Sequence, residues 1–226
     1  MEDETAYHSN PLGASGYDVP DIRETNTSIV VLGSAFSPPL LKHETFQDIL
    51  AANPQGIVTP VLAQLTYPGG FQITLEESRF TVAHSQPSEG TGRLLSAAMS
   101  AFLSKNPLVS FTAMGLNFSG VVSGNGPSED LLLKRIVVQE QLRKIAGSEP
   151  SEAALQIVYT ADGARCQLAM QPQGNSGAKG GLLVHLNVHG ELHSLDEIQS
   201  RLEEFERWHS HFRGVCRNII GVEEGE

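Results

Sequence analysis

The segment LLVHLNVHGELHS, residues 182–194, decides how this chain is built. Leu182, Val184, Leu186 and Val188 alternate with His185, Asn187 and His189, the period of two that sends neighbouring side chains to opposite faces of a strand. Gly190 ends the run, and Ser194 with Glu197 then forms a capping box, the signature of a helix start. An amphipathic strand that turns directly into a helix is the unit of an α+β fold whose sheet has one buried face.

The same segment carries the one sharp chemical pattern in the sequence, since His185, His189 and His193 are spaced by four. Residues four apart on a strand lie roughly 13 Å apart at about 3.3 Å per residue, whereas zinc ligands sit about 2 Å from one ion. The run therefore cannot chelate alone. His185 and His189 remain metal candidates only if a ligand from another strand joins them. The expectation is that His185, Asn187 and His189 face water or a partner, with no metal and no cofactor.

Downstream, Leu195, Ile198, Leu202, Phe205, His209, Phe212, Cys216 and Ile219 recur in steps of three and four, predicting one long C-terminal helix. His209 lies inside that stripe and reads as a core histidine bonded to a backbone carbonyl or to Glu206. Trp208 and His211 lie off the stripe and read as rim or interface residues. Upstream, EAALQIVYT and ARCQLAMQP, joined by the turn Ala161-Asp162-Gly163, predict two strands. Ser128 caps a predicted helix from about Glu129 to Ala146, with Gly147 as its stop.

The N-terminal part repeats this grammar. SIVVLGSAF predicts a strand, HETFQDILAAN a short helix, and GIVTPVLAQLTY, FQITLEE and RFTVAHS an antiparallel meander of three runs. GRLLSAAMSAFLSKN predicts a helix with Leu95, Ala98, Met99 and Phe102 inward, and LVSFTAMGLNFSGVV a long strand broken at Gly124-Asn125-Gly126. The expected fold is α+β: antiparallel meanders packed on helices, in two similar halves at about 28–123 and 124–221. Residues 1–27, rich in Gly, Pro, Asn, Ser and acids, are expected as a flexible arm and 222–226 as an acidic tail.

Composition narrows the function classes. Of the net charge of −11, residues 1–27 carry −5 and residues 222–226 carry −3, which leaves −3 for the body. No basic cluster exceeds Lys134-Arg135 or Arg143-Lys144, which argues against nucleic acid and anionic membrane as partners. MEDETAYHSN has no apolar core of a secretory signal, and no run approaches the roughly 18 apolar residues of a membrane span, so a cytoplasmic protein is expected. Cys166 and Cys216 lie in apolar-periodic segments and read as reduced core thiols, although spacing alone leaves a disulfide open. Glu76-Glu77 at a hairpin reads as solvated charge. GNSGAKGG has the composition of a phosphate loop but lacks its Lys-Ser/Thr pair and precedes a strand. Nucleophile-elbow, His-Glu-x-x-His and Cys-x-x-Cys motifs are absent from the sequence.

TAMGLNFSGVV (112–122) is similar to the Gly-Leu-Arg-Tyr-Ile-Asn strand of a sporadically distributed family of conserved hypothetical bacterial proteins. GLLVHLNVH followed by SLDEIQSRLEEFERWHSHF resembles that family's closing strand and long helix, and TLEESRFTV its Ser-Pro-Asp-Arg hairpin. The resemblance spans most of 28–221. Asn117 stands where the family has Arg, and His185 and Asn187 where it tends to have Asp. It implies a bacterial source and an architecture, with no assigned activity and no polar site carried over.

The leading expectation is a non-catalytic cytoplasmic protein that binds another protein, itself included as a homodimer, through a polar sheet face and the C-terminal helix. The alternatives are a small-molecule or metal-dependent enzyme with a pocket between the halves and a chaperone-like holder of unfolded chains.

Overall fold

A computed structural model describes residues 21–123, 143–145, 147, 153–173 and 181–220. Its strands are β1 (Asp21–Ser34), β2 (Gln55–Val58), β3 (Leu62–Thr66), β4 (Phe71–Glu76), β5 (Arg79–His84), β6 (Ser110–Ser123), β7 (Leu155–Ala161), β8 (Ala164–Gln173) and β9 (Gly181–Glu191). They form one antiparallel sheet in the order β2-β3-β4-β5-β1-β6-β9-β8-β7. Three helices are described along most or all of their length: α1 (Thr91–Ser104), α2 (Leu195–Glu203) and α3 (Phe205–Ile220). The chain is therefore α+β, with meanders leading into helices on both sides of β1 and β6. None of the described helices is long and apolar enough to cross a membrane.

One face of the sheet carries the core. Ile29, Val31, Ile73, Phe80, Leu116, Phe118, Val184 and Leu186 are buried there, against Leu95, Met99 and Phe102 of α1, Ile198 and Leu202 of α2, and Phe205, Phe212 and Cys216 of α3. Aromatic rings tie the layers: Phe80 stacks on Phe102 at 4.2 Å, and Phe118 meets Phe205 at 5.3 Å and Phe212 at 5.8 Å. The capping box at Ser194 is formed as read, with Glu197 N–H donating to the Ser194 hydroxyl and the Glu197 carboxylate accepting from the Ser194 N–H. At the tip of the β7–β8 hairpin Asp162 and Gly163 both have positive φ, 47° and 75°, the backbone of a two-residue type I′ turn.

Several boundaries differ from the sequence reading. β1 begins at Asp21, so residues 21–27, expected as arm, are strand: they run along β6, and Thr27 also pairs with β5. GIVTPVLAQLTY is two strands, because Thr59-Pro60 turns the chain: the Thr59 N–H and hydroxyl both donate to the Leu62 carbonyl at 2.8 Å. The helix expected over 43–53 is only a 3₁₀ turn at His43–Thr45, after which Phe46 and Leu50 anchor the segment in the core. The single C-terminal helix is divided at Glu204 (φ −80°, ψ −2°), whose carboxylate accepts from Arg201 at 3.0 Å and from Trp208 Nε1 at 3.3 Å. Gly124-Asn125-Gly126, most of the helix expected over 129–146 and the GNSGAKGG loop up to residue 180 lie outside the described residues. Within that expected helix, residues 143–145 are helical.

Candidate functional site

The described helices α1, α2 and α3 occupy one face, and the opposite face of the sheet is built from the polar half of each strand's alternation. His185, Asn187 and His189 lie there, as the strand period predicts, each half-buried. Two of them are tied across to β6. His185 Nδ1 lies 2.8 Å from the Ser119 hydroxyl, and Asn187 Nδ2 donates to Asn117 Oδ1 at 2.7 Å. Gly115 leaves room for this pair, since a Cβ there would stand 3.2 Å from Asn187 Nδ2. Burial holds His185 below the ordinary histidine pKa, so the ring is neutral and bonded to its neighbour. Among the described residues no group of three His, Cys, Asp or Glu side chains is disposed to hold a metal. None of the described residues joins His185 and His189 as a third ligand.

Register extends this region across the whole sheet. Directly paired residues put Gln55, Thr66, Gln72, Ala83, Ser28, Asn117, Asn187, Gln167 and Val158 in one transverse row. The row on one side is Ile57, Gln64, Thr74, Thr81, Val30, Gly115, His189, Arg165 and Thr160, and on the other side Asn26, Ser119, His185, Ala169 and Gln156. Arg165 is the sole Asp, Glu, Lys or Arg in the three rows. At the chain's own 18% charged content about four would be expected on such a surface.

Of Trp208 and His211, both expected at a rim, Trp208 is buried instead and His211 is half-buried beside it. Trp208 is 1% exposed and lies under the Arg207 guanidinium at 5.1 Å, and it meets His211 edge-on at 5.8 Å. His211 Nε2 is 2.8 Å from Tyr159 Oη on β7. Burial, with Cys166 beside it, pushes the Tyr159 phenol up to about 12, so the phenol keeps its proton in this bond. Helix periodicity reports one line of contact, but the sheet reaches beneath α3 as far as β7 and covers a second flank.

The residue that sequence reading missed is Glu24. The register of β1 slips between Glu24 and Asn26, a β-bulge at Thr25 that turns Glu24 to the helix face. Its carboxylate, 15% exposed, accepts from His209 Nε2 at 2.8 Å and lies 3.6 Å from Arg213 Nε. His209 is a stripe residue as read, but its close partner is Glu24 from the sheet, with Glu206 farther off at 3.9 Å from Nδ1. The ring stacks on Phe118 at 5.7 Å. Gly120, opposite Glu24, keeps the space open, because a Cβ there would meet the Arg23 carbonyl at 3.2 Å and Phe212 at 3.3 Å.

Glu24, His209 and Arg213 line a cleft of about 720 Å³ between the start of β1, the N-terminal end of α1 and α3. It lies between elements of the two expected halves, although His185 and His189 take no part in it. A histidine held through one ring nitrogen by a carboxylate can exchange a proton through the other, so His209 and Glu24 give this cleft the elements of a proton-transfer pair. No pattern in DIRETNTS announces this, since a bulge is set by pairing with β6 and has no residue signature of its own.

Cys166 and Cys216 are buried and unbonded. Burial raises both thiols, Cys216 to about 12. Neither family models nor curated proteins, compared with this chain, yield a match.

Proposed function

We propose that this protein acts by binding another protein on the face of its sheet opposite α1, α2 and α3. The observation that carries the reading is the nearly uncharged band of three transverse rows crossing the sheet in an acidic chain. Interface centres are depleted of charge relative to the rest of a protein surface, because a charge buried by the partner needs its own counter-charge. The His185–Ser119 and Asn187–Asn117 bonds hold the band's central side chains in place before any partner arrives. A partner then loses little to ordering them.

Asn187→Lys tests the reading, because it puts a charge at the centre of the band and leaves the core face unchanged. Tagged wild-type chain and the variant are used as bait in host lysate with quantitative mass spectrometry. A stoichiometric protein retained by wild type and lost with Asn187→Lys is expected. A partner that holds both equally, or none on either, refutes the assignment of this face.

The Glu24–His209 pair favours a second reading, a small-molecule site in the cleft between the halves. His209→Gln would abolish a ligand-induced thermal shift there and leave the protein partner bound. A partner lost with His209→Gln and kept with Asn187→Lys would move the site from the face to the cleft.

A further inference from the structure

From the edge strand β7 we infer a second interaction surface, and its partner is a second copy of this chain. A sheet edge presents unpaired N–H and C=O groups, and natural proteins usually blunt it with charge, proline or a short strand. The other edge, β2, is four residues long and lies between Pro54 and Pro60. β7 is LQIVYTA, with no charge and no proline, and Ile157 and Val158 are 38% and 49% exposed on it.

The backbone defines which groups are free. Ala161 and Ala164 flank the two-residue turn and form the hydrogen-bonded closing pair, so Tyr159 and Ile157 also bond to β8. Gln156, Val158 and Thr160 then point their N–H and C=O groups outward. If a second β7 pairs antiparallel about a two-fold axis at Val158, these same residues become the hydrogen-bonded pairs of the new ladder, about six bonds in all.

The side chains select a second copy over an arbitrary strand. About Val158 the sequence is chemically symmetric: Gln156 falls opposite Thr160, Ile157 opposite Tyr159, and Leu155 opposite Ala161. Polar meets polar on the face opposite the core, and β-branched meets aromatic on the core face, both favourable cross-strand pairs. A two-fold interface requires one patch to complement itself, and this strand does so in one register.

Val158→Cys tests the pairing directly. In a hydrogen-bonded antiparallel pair opposed Cα atoms are about 5.5 Å apart, inside the range a disulfide spans. The native thiols are buried. Mild oxidation should therefore give a covalent dimer of twice the 24.3 kDa chain mass, while Ile57→Cys on the other edge gives none. In light scattering behind size exclusion, wild type should run as a dimer. Val158→Lys, which sets two lysines face to face, should run as a folded monomer with unchanged far-ultraviolet circular dichroism. Gln156→Lys with Thr160→Glu, which creates two complementary pairs across the axis, should remain dimeric. A monomeric wild type, or a dimer unaffected by Val158→Lys, overturns the inference. The edge shares only the terminal residues Gln156, Val158 and Thr160 with the band, and Asn187 lies two strands in from it, so Asn187→Lys should leave the dimer intact.

Discussion

Replacing Gly92 with alanine should destabilise the protein, although the same change at Gly214, just past the middle of α3, should stabilise it. Gly92 is the second residue of α1 and is buried where that helix crosses α3. An added Cβ would sit 2.5 Å from Phe205 Cε1 and 2.7 Å from Glu206 Oε1. Glu206 is exposed and can swing away, so it does not decide the outcome. Phe205 decides it: the ring is 3% exposed and rests on Phe118 at 5.3 Å, so it yields only by shifting α3 or leaving its packing. Overpacking of this kind costs about 1–3 kcal/mol, and the helical preference of Ala over Gly returns at most about 1 kcal/mol.

The net loss expected for Gly92→Ala is about 1–2 kcal/mol, or about 2–8 °C in Tm for a chain of this size. Gly214, inside α3, has nothing within 4 Å of a built Cβ. There only the backbone term operates, and Gly214→Ala should gain about 0.5–1 kcal/mol. Both are read by urea unfolding followed through the fluorescence of Trp208, the sole tryptophan, which is buried in α3. Equal midpoints for the two variants, or a higher midpoint for Gly92→Ala than for wild type, would refute the packing argument.

Glu24 and His209 should show a coupling of about 1–3 kcal/mol in a double-mutant cycle built from Glu24→Gln and His209→Gln, as a charged hydrogen bond this sheltered implies; additive losses would place residues 21–27 outside the folded body. His185 and His84 are both held below the ordinary histidine value of 6.5 by burial, so the unfolded chain protonates before the native one. The stability they contribute is complete above about pH 6.5 and falls as pH drops through that value. His185→Gln should therefore flatten the decline in urea midpoint between pH 7 and pH 5, and an unchanged slope would contradict the assignment. Cys216, raised from 9.0 to about 12, holds about a thousandfold less thiolate than an ordinary thiol at pH 8. With Cys166 buried too, native protein should resist a disulfide reagent that titrates both thiols in denaturant; one fast native thiol would show that the core there is open.

What could be read from the residues was whatever an element settles within itself. The alternation from Leu182 to His189 and the three-four stripe from Leu195 to Ile219 each name a buried face without knowing its partner, and the structure covers those faces. What escaped was set by partners far away in sequence. ETNTS reads as arm because its residues are polar, yet in β1 it runs along β6, with Thr27 and Ser28 paired to β5 as well, and Asn26 and Ser28 lie opposite Ser119 and Asn117. Trp208 looked peripheral because one helix period has only one inward side, whereas the sheet continues past β8 to Tyr159. Only the split of GIVTPVLAQLTY had a local signal, the Thr59-Pro60 step, which an unbroken apolar run obscured.

The two surfaces share a geometry that neither was used to establish. Val158, the residue on the inferred two-fold axis, is also the terminal member of the central row that starts at Gln55. Pairing β7 with a second copy would carry that row through the axis and back without meeting a charge. At about 4.8 Å per strand the band in one chain is roughly 38 Å long, and in the pair it would be roughly 80 Å. Adjacent strands rotate by about 20–25°, so a rigid partner could not follow the whole length, and two partners related by the same two-fold axis would fit better. If each partner meets the band near Asn117 and Asn187, four strands or fewer from the axis, breaking the dimer with Val158→Lys should weaken bivalent capture on a surface while leaving binding of a single partner in solution unchanged. Equal loss in both assays would mean that the partner itself bridges the axis, and that the β7 edge and the band are one site.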